Sequence, residues 1–267
     1  MVAETGRELM DKVTVTVIRP TVTTPAFKFE NLGSQINRGI SAIFYSDPGV
    51  GKTKLATTLP EGKTLIMTCE AGLGPLLGTK HIVFDVLKAI NPDTHNMEDI
   101  IMNMYRYLRT EKHPFENVVL DNLSEMEQQL ILNLTKKHKK DVPEIREYGD
   151  ASYIIKDWVH LYRDLVFKNM NVVFNAWEFP LELKNAEGSM ITRIYPLIGK
   201  KIAPQICGIV DVVGRLECNA KTGQRRIRLD NNDQFITKSQ FSGLDKAEPA
   251  NLTDLFSKLK EYVYGEK

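Results

Sequence analysis

Two glycines, a lysine and a threonine stand together just after an apolar run. The run is GISAIFY (39–45), and the chain continues Ser46, Asp47, Pro48, Gly49, Val50, Gly51, Lys52, Thr53, Lys54. Glycine builds poor strands and poor helices, but it lets main chain take left-handed dihedrals and come close to a ligand. Consecutive amide groups in such a turn converge into a nest for phosphate oxygens. A helix opening near Lys52, through KLATTL (54–59), adds its positive end. The spacing nearly matches G-x-x-x-x-G-K-[ST], with Ser46 in place of the first glycine. In that pattern the lysine bridges the β- and γ-phosphates and the hydroxyl reaches Mg²⁺. Residues 46–54 are therefore the candidate nucleotide loop, with Lys52 for the phosphates and Thr53 for the metal.

Three polar residues follow other apolar runs. VVLD (118–121) ends in Asp121, which can hold the Mg²⁺ shell through water. The competing use is as N-cap of the next helix, for which Asn122 and Ser124 are also candidates. IMTCEAGL (66–73) carries Glu70 at the end of a buried run. In a parallel sheet that end faces the γ-phosphate, where a glutamate can orient and activate water. Glu125 is the rival, on the helix after Asp121. NVVFNAW (171–177) carries Asn175, the candidate to contact the γ-phosphate or the water and to report hydrolysis to the next loop.

These residues need a scaffold that brings strand ends together, and the patterning supplies one. Strands expected at 39–45, 64–69, 81–87, 116–121 and 171–177 alternate with helices at 97–110, 123–140 and 151–168. Alternating units of this kind imply an α/β fold with a mainly parallel sheet covered by helices. Ligands in such folds sit at the carboxyl ends of the strands, where all the candidates above fall. VDVVGRLE (210–217) and RRIRLD (225–230), around a turn at 219–223, read as a C-terminal β-hairpin. NLTDLFSKLKEYV (251–263) reads as a last helix capped by Asn251. Residues 1–37 read as a separate extension with short strands at 13–20 and 27–32, suited to pairing with a neighbour's sheet; residues 38–267 form the main domain.

The order of these motifs resembles the RecA/RadA-like ATPases. A phosphate loop, an early glutamate strand (TCEAGL), an Asp-ending strand (VVLDNLS) and a later polar strand (VVFNAW) recur there in this order, and the likeness spans roughly 38–263. Within that superfamily the chain looks most like phage-encoded AAA-domain nucleotide-binding proteins, some of which serve single-strand annealing or recombination. The resemblance implies a RecA-like P-loop core, ATP with Mg²⁺, hydrolysis by water directed by Glu70, and a ring or filament of identical subunits. It also implies a basic residue reaching each site from the neighbouring subunit. Lys200 and Lys201 are candidates, as is Lys238 in TKSQF (237–241), where Gln240 replaces the family's arginine.

The resemblance further implies contact with single-stranded DNA. Two segments sit where RecA-like proteins place their DNA loops. The first holds Lys136, Lys137, Lys139, Lys140, Arg146 and Tyr148; the second, 182–201, holds Lys184, Arg193 and Tyr195. Lysines neutralise phosphates and tyrosines stack on bases. Other phage recombination or replication proteins are implied partners. A nucleotide switch without DNA and a small-molecule kinase are the alternatives; a kinase wants a compact arginine lid, and Arg225, Arg226 and Arg228 fall on the hairpin instead.

Composition narrows the classes. The net charge is +1, so any nucleic-acid surface must be local rather than global. Three widely spaced cysteines, Cys69, Cys207 and Cys218, exclude a disulfide scaffold and a structural zinc site and suit a reducing cytoplasm, the host's if the chain is phage-encoded. No apolar run approaches a membrane span, and MVAETGRELMDK has no secretory apolar region. Trp158, on an amphipathic helix, belongs in the core.

Overall fold

The computed structural model describes residues 38–264 apart from 71, 185–187, 231 and 233. The N-terminal extension expected at 1–37 lies outside the described residues. In chain order the elements are β1 (Ser41–Ser46), α1 (Lys52–Ala56), β2 (Thr64–Thr68), β3 (Ile82–Asp85), α2 (Val86–Ala89), α3 (Met97–Thr110), β4 (Asn117–Asp121), α4 (Leu123–Lys137), α5 (Ile145–Arg163), β5 (Asn171–Lys184), β6 (Met190–Pro196), α6 (Ala203–Ile209), β7 (Val212–Cys218), β8 (Arg225–Arg228), β9 (Lys238–Ser239), β10 (Ala247–Pro249) and α7 (Leu252–Tyr264).

One sheet runs in the order β10-β8-β7-β1-β5-β4-β2-β3, with β6 paired to β5 and β9 to β7. Strands β7, β1, β5, β4, β2 and β3 are parallel. The hairpin of β7 and β8 is antiparallel, and β10 extends it. This mainly parallel sheet with flanking helices is the α/β architecture anticipated from the patterning. Every residue of β1, β2 and β4 is buried, as strands covered on both faces require.

Side chains alternate between two apolar layers. Ile43, Leu65, Val118, Leu120 and Phe174 meet the side of α3, α4 and α5, where Trp158 is 1% exposed. Phe44, Ile66, Val119 and Val173 meet α1 and α7 on the other face. The parallel strands deliver 46–53, Glu70 and Asp121 to one edge. Because β5 lies between β1 and β4, Asn175 stands between the phosphate-loop strand and the Asp121 strand.

Three expectations are corrected. The strand at 171–177 does not stop there: β5 runs to Lys184 and folds back as β6. The segment 182–201 is thus largely a β-ribbon and not a loop, because FPLELK and MITRIYP alternate apolar and polar residues, and Leu181, Leu183 and Ile194 pack on the core. The run HIVFDVL splits into β3 and α2, since Asp85 accepts from the Lys88 amide at 3.1 Å and caps a helix inside it. Helix α5 starts at Ile145, six residues before the expected 151, because Glu144 and Glu147 form a reciprocal capping box.

Candidate functional site

The turn from β1 into α1 has the backbone its glycines suggest. Gly49 has φ +80° and Gly51 φ +116°, a region L side chains rarely take. Helix α1 has only five residues, so its dipole is short and the loop amides carry most of the anion attraction. Lys52 is buried; its ammonium donates to Ser46 O at 3.0 Å, Ser46 Oγ at 3.1 Å and Asp47 O at 3.0 Å. Burial pushes its pKa down, and the nearby Asp121 and Glu70 carboxylates oppose that shift.

The competition for the α4 cap is resolved by Asn122, whose Oδ1 accepts from the Glu125 amide at 2.8 Å. Asp121 keeps its carboxylate for the site. It is buried, hydrogen-bonded to the Thr53 hydroxyl, and accepts from Asn175 Nδ2 at 2.9 Å. Burial pushes its pKa up, while Thr53, Asn175 and Lys52 hold it down.

Glu70 follows β2, the strand next to β4, where Thr68 is in register with Asp121. Its Oε1 accepts a hydrogen bond from Asn122 Nδ2. Its pKa is raised first by burial, then by the Asp121 and Glu125 charges; Lys52 and Asn122 act against them. Asn122 therefore caps α4 with one end of its amide and orients Glu70 with the other. Sequence spacing offered Asn122 only as a cap.

Asn175 departs from its expected role. It is wholly buried and gives its Nδ2 to Asp121 and, at 3.3 Å, to Lys52 O. It touches the groups behind the cleft, whereas Trp177, two residues on, lines the cleft itself.

That cleft, about 300 Å³, is lined by Gly51, Lys52, Thr53, Glu70, Asp121 and Trp177 among others. No cluster of three His, Cys, Asp or Glu side chains able to hold a metal alone occurs among the described residues. Mg²⁺ does not need one: it keeps waters and takes one or two protein oxygens plus substrate phosphates. The adjoining Thr53 hydroxyl and Asp121 carboxylate form an all-oxygen pair of that kind. The Asn175 Oδ1 is a buried acceptor with no partner among the described residues, but it lies behind the cleft; the oxygens that fit a cation there are those of Thr53 and Asp121.

A second cavity, about 630 Å³, opens on the other flank of the loop, between Asp47 and Val50 and the β7–β8 hairpin. Arg225, on β8, sends its Nε to Val50 O at 2.6 Å. Sequence reasoning took Arg225 as a hairpin residue; only the strand order brings β8 within reach of the loop.

The other candidates divide. Lys200 and Lys201 are exposed at the turn into α6. Lys238 is corrected: its ammonium donates to Gly208 O at 2.7 Å and Val210 O at 2.8 Å, at the carboxyl end of α6, so it is spent within its own chain. Lys136, Lys137, Lys139 and Tyr148 are exposed, and so is Arg146, which pairs with Asp150 at 3.4 Å. Lys140 bridges to Glu144 and Glu147 at 2.9 Å each. Lys184 is exposed on β5. Arg193 is corrected as a DNA contact, because it is half-buried and its Nη2 donates to Asn232 O and Phe235 O. Tyr195 is buried and has no face for a base. No helix among the described residues is long and apolar enough to cross a membrane.

Fold and loop together define an α/β protein with a glycine-rich loop of the phosphate-loop pattern between its central strand and the next helix. Residues 38–241 match the family described as AAA domain, and the chain belongs to that family. No curated protein matches it. Among solved structures it is similar to the RadB recombinase, with TM-score 0.41 and 16% identity over 72% of this chain and 80% of that one. It is also similar to a KaiC-like protein from the hyperthermophilic archaeon Pyrococcus horikoshii OT3, with TM-score 0.41 and 11% identity over 79% of this chain and 85% of that one.

Proposed function

We propose that the protein hydrolyses ATP in the presence of Mg²⁺ and acts on single-stranded DNA in recombination, annealing or replication, as a phage-type RecA-like protein working in a ring or filament. The observation that carries the catalytic part is the gathering at one cleft of Glu70, the hydrogen-bonded Thr53–Asp121 pair and Lys52. A water held by Glu70 attacks the γ-phosphorus. The bond from that phosphorus to the oxygen bridging the β-phosphate breaks, the water proton passes to the Glu70 carboxylate, and ADP and phosphate leave. Lys52 balances the charge building on the phosphates. Thr53 and Asp121 would hold Mg²⁺, which would supply further charge neutralisation on the phosphates. Asn175 is a positioning residue that fixes Asp121.

The DNA part rests on the exposed group Lys136, Lys137, Lys139, Arg146 and Tyr148, with Lys184 on the ribbon. Helix α4 joins that group to the site; its 15 residues span about 22 Å. Exposed Lys200 and Lys201 support a contribution to a neighbouring subunit's site. ATP rather than GTP follows from the resemblance.

The test is ATP hydrolysis with and without single-stranded DNA, repeated across salt concentrations. Stimulation that falls steeply with salt is expected. Hydrolysis indifferent to DNA identifies a nucleotide switch, and transfer of phosphate to an added small molecule identifies a kinase.

A further inference from the structure

One of the three arginines on β8 turns away from the other two. The run Arg225-Arg226-Ile227-Arg228 alternates across the sheet. Arg226 and Arg228 pair with Glu217 of β7 at 3.1 and 2.7 Å. Ile227 faces the opposite side, wholly buried in the layer that holds Leu55 of α1, and Arg225 shares its face. The Arg225 Nε donates to Val50 O at 2.6 Å. We propose that Arg225 is a positioning residue for the phosphate loop: by holding the Val50 carbonyl from outside, it keeps the Gly51 N–H turned toward the anion. The inference rests on the phosphate-loop reading and adds what holds that loop in its binding form.

In a trans peptide the C=O and the N–H point in opposite directions, so whatever fixes Val50 O also fixes Gly51 N–H. Val50 borders the space on the hairpin side, whereas Gly51 borders the cleft with Lys52, Thr53, Glu70 and Asp121. No main-chain acceptor among the described residues takes the Gly51 N–H, which leaves it for a phosphate oxygen.

Glycine makes this peptide easy to turn over. Gly51 has φ +116°, and rotating the Val50–Gly51 peptide by half a turn returns φ to the ordinary negative region. That flip would put a carbonyl oxygen where the amide stood and set it against the phosphates. A guanidinium on Val50 O opposes the flip, because hydrogen bonds from an ionised donor are among the stronger ones. The approach is close: a Cβ on residue 51 would fall 2.6 Å from Arg225 Nε and 3.3 Å from its Cδ. Gly51 therefore serves twice, allowing its φ and admitting the arginine.

The test is binding of inorganic tripolyphosphate with Mg²⁺, which fills the phosphate loop and carries no nucleoside. Arg225→Gln keeps an N–H donor at the position of Nε and removes the charge. Arg225→Lys keeps the charge and puts a carbon at that position. Arg225→Ala and Arg225→Lys are expected to bind about tenfold more weakly than the unaltered chain, and Arg225→Gln to keep most of the affinity. The same order should appear in KM for ATP, with kcat little changed. Arg225→Gln as weak as Arg225→Ala, with Arg225→Lys unimpaired, would show a charge acting directly on the ligand and would overturn the proposal. No loss in any variant would also overturn it. So would losses that follow the denaturant midpoint from variant to variant, since they would reduce Arg225 to a contact of the fold. The order of Arg225→Gln and Arg225→Lys answers the question even where Arg225→Ala does not fold. If the unaltered chain binds no tripolyphosphate, the phosphate-loop reading falls and takes this one with it, an outcome distinct from binding that ignores residue 225.

Discussion

Asn175 donates its side-chain amide to the Asp121 carboxylate at 2.9 Å, reaching it from the strand that separates β4 from the phosphate loop. A buried carboxylate proposed to hold the Mg²⁺ shell depends on such a partner for its orientation. Outer-shell partners of this kind are worth about 10–100-fold in metal affinity. Asn175→Ala should raise the Mg²⁺ concentration needed for half-maximal turnover by a factor in that range and leave metal-free nucleotide binding intact. A Mg²⁺ titration of hydrolysis checks it, and an unchanged midpoint would separate Asn175 from the metal.

Glu70→Gln should keep nucleotide affinity and lower turnover by about 10²–10⁴-fold, the span of general-base contributions. Single-turnover kinetics beside a binding titration separates the two quantities. Turnover at the level of the unaltered chain would move the base elsewhere.

The same carboxylate predicts a pH profile. As the proposed base Glu70 must be deprotonated, and burial raises its pKa above the ordinary 4.5, so the acid limb of kcat should sit above that of a solvated glutamate. Glu125 raises the Glu70 pKa and Asn122 lowers it. Glu125→Gln should therefore move the limb to lower pH. Asn122→Ser, which keeps a capping oxygen for α4, should move it to higher pH. Shifts in the opposite directions would refute the assignment.

Glu147 tests acid stability. His138 Nδ1 at 2.8 Å and Lys140 Nζ at 2.9 Å hold its carboxylate down to about 2 from 4.5. A depressed acid stabilises the fold above its unfolded pKa and loses that contribution as pH falls through the folded one. Denaturant midpoints of the unaltered chain should drop between pH 4.5 and about 2, and Glu147→Gln should flatten that drop.

The two tryptophans should report different things. Trp158 is packed in the core, so Trp158→Ala should cost about 3–5 kcal/mol by denaturant unfolding. Trp177 borders the cleft that holds Lys52, Glu70 and Asp121, so nucleotide bound as proposed should change its emission. That signal should survive Trp158→Phe and vanish in Trp177→Phe; the reverse pattern would place the nucleotide elsewhere.

For DNA, replacing Lys136, Lys137 and Lys139 with alanine should leave hydrolysis without DNA unchanged. The salt slope of single-strand binding should fall by about 0.7 for each phosphate that is no longer neutralised. An unaltered slope would remove this surface from the interface.

The parallel core, the hairpin, the glycine turn after β1 and the placing of Asp121 and Glu70 at strand ends were legible in the residues alone. Each depends on local chemistry: glycines that permit unusual dihedrals, acids closing apolar runs, and strand and helix periods set by neighbours in the chain. What the sequence left open depends on which strands lie side by side. Asn175 looked like a sensor until β5 was found between β1 and β4, where its amide meets Asp121 instead of the cleft. Asn122 looked like a cap and nothing more until the pairing of β2 with β4 put Glu70 beside it. Lys238 looked free to reach a neighbour until β9 docked on β7 and set its ammonium on the carbonyls of α6. Arg225 looked like a hairpin residue only, until β8, 175 residues beyond Val50, laid it on the loop. Local sequence sets backbone conformation and residue type, whereas contacts between distant segments follow from sheet order, which the packing of the whole chain decides.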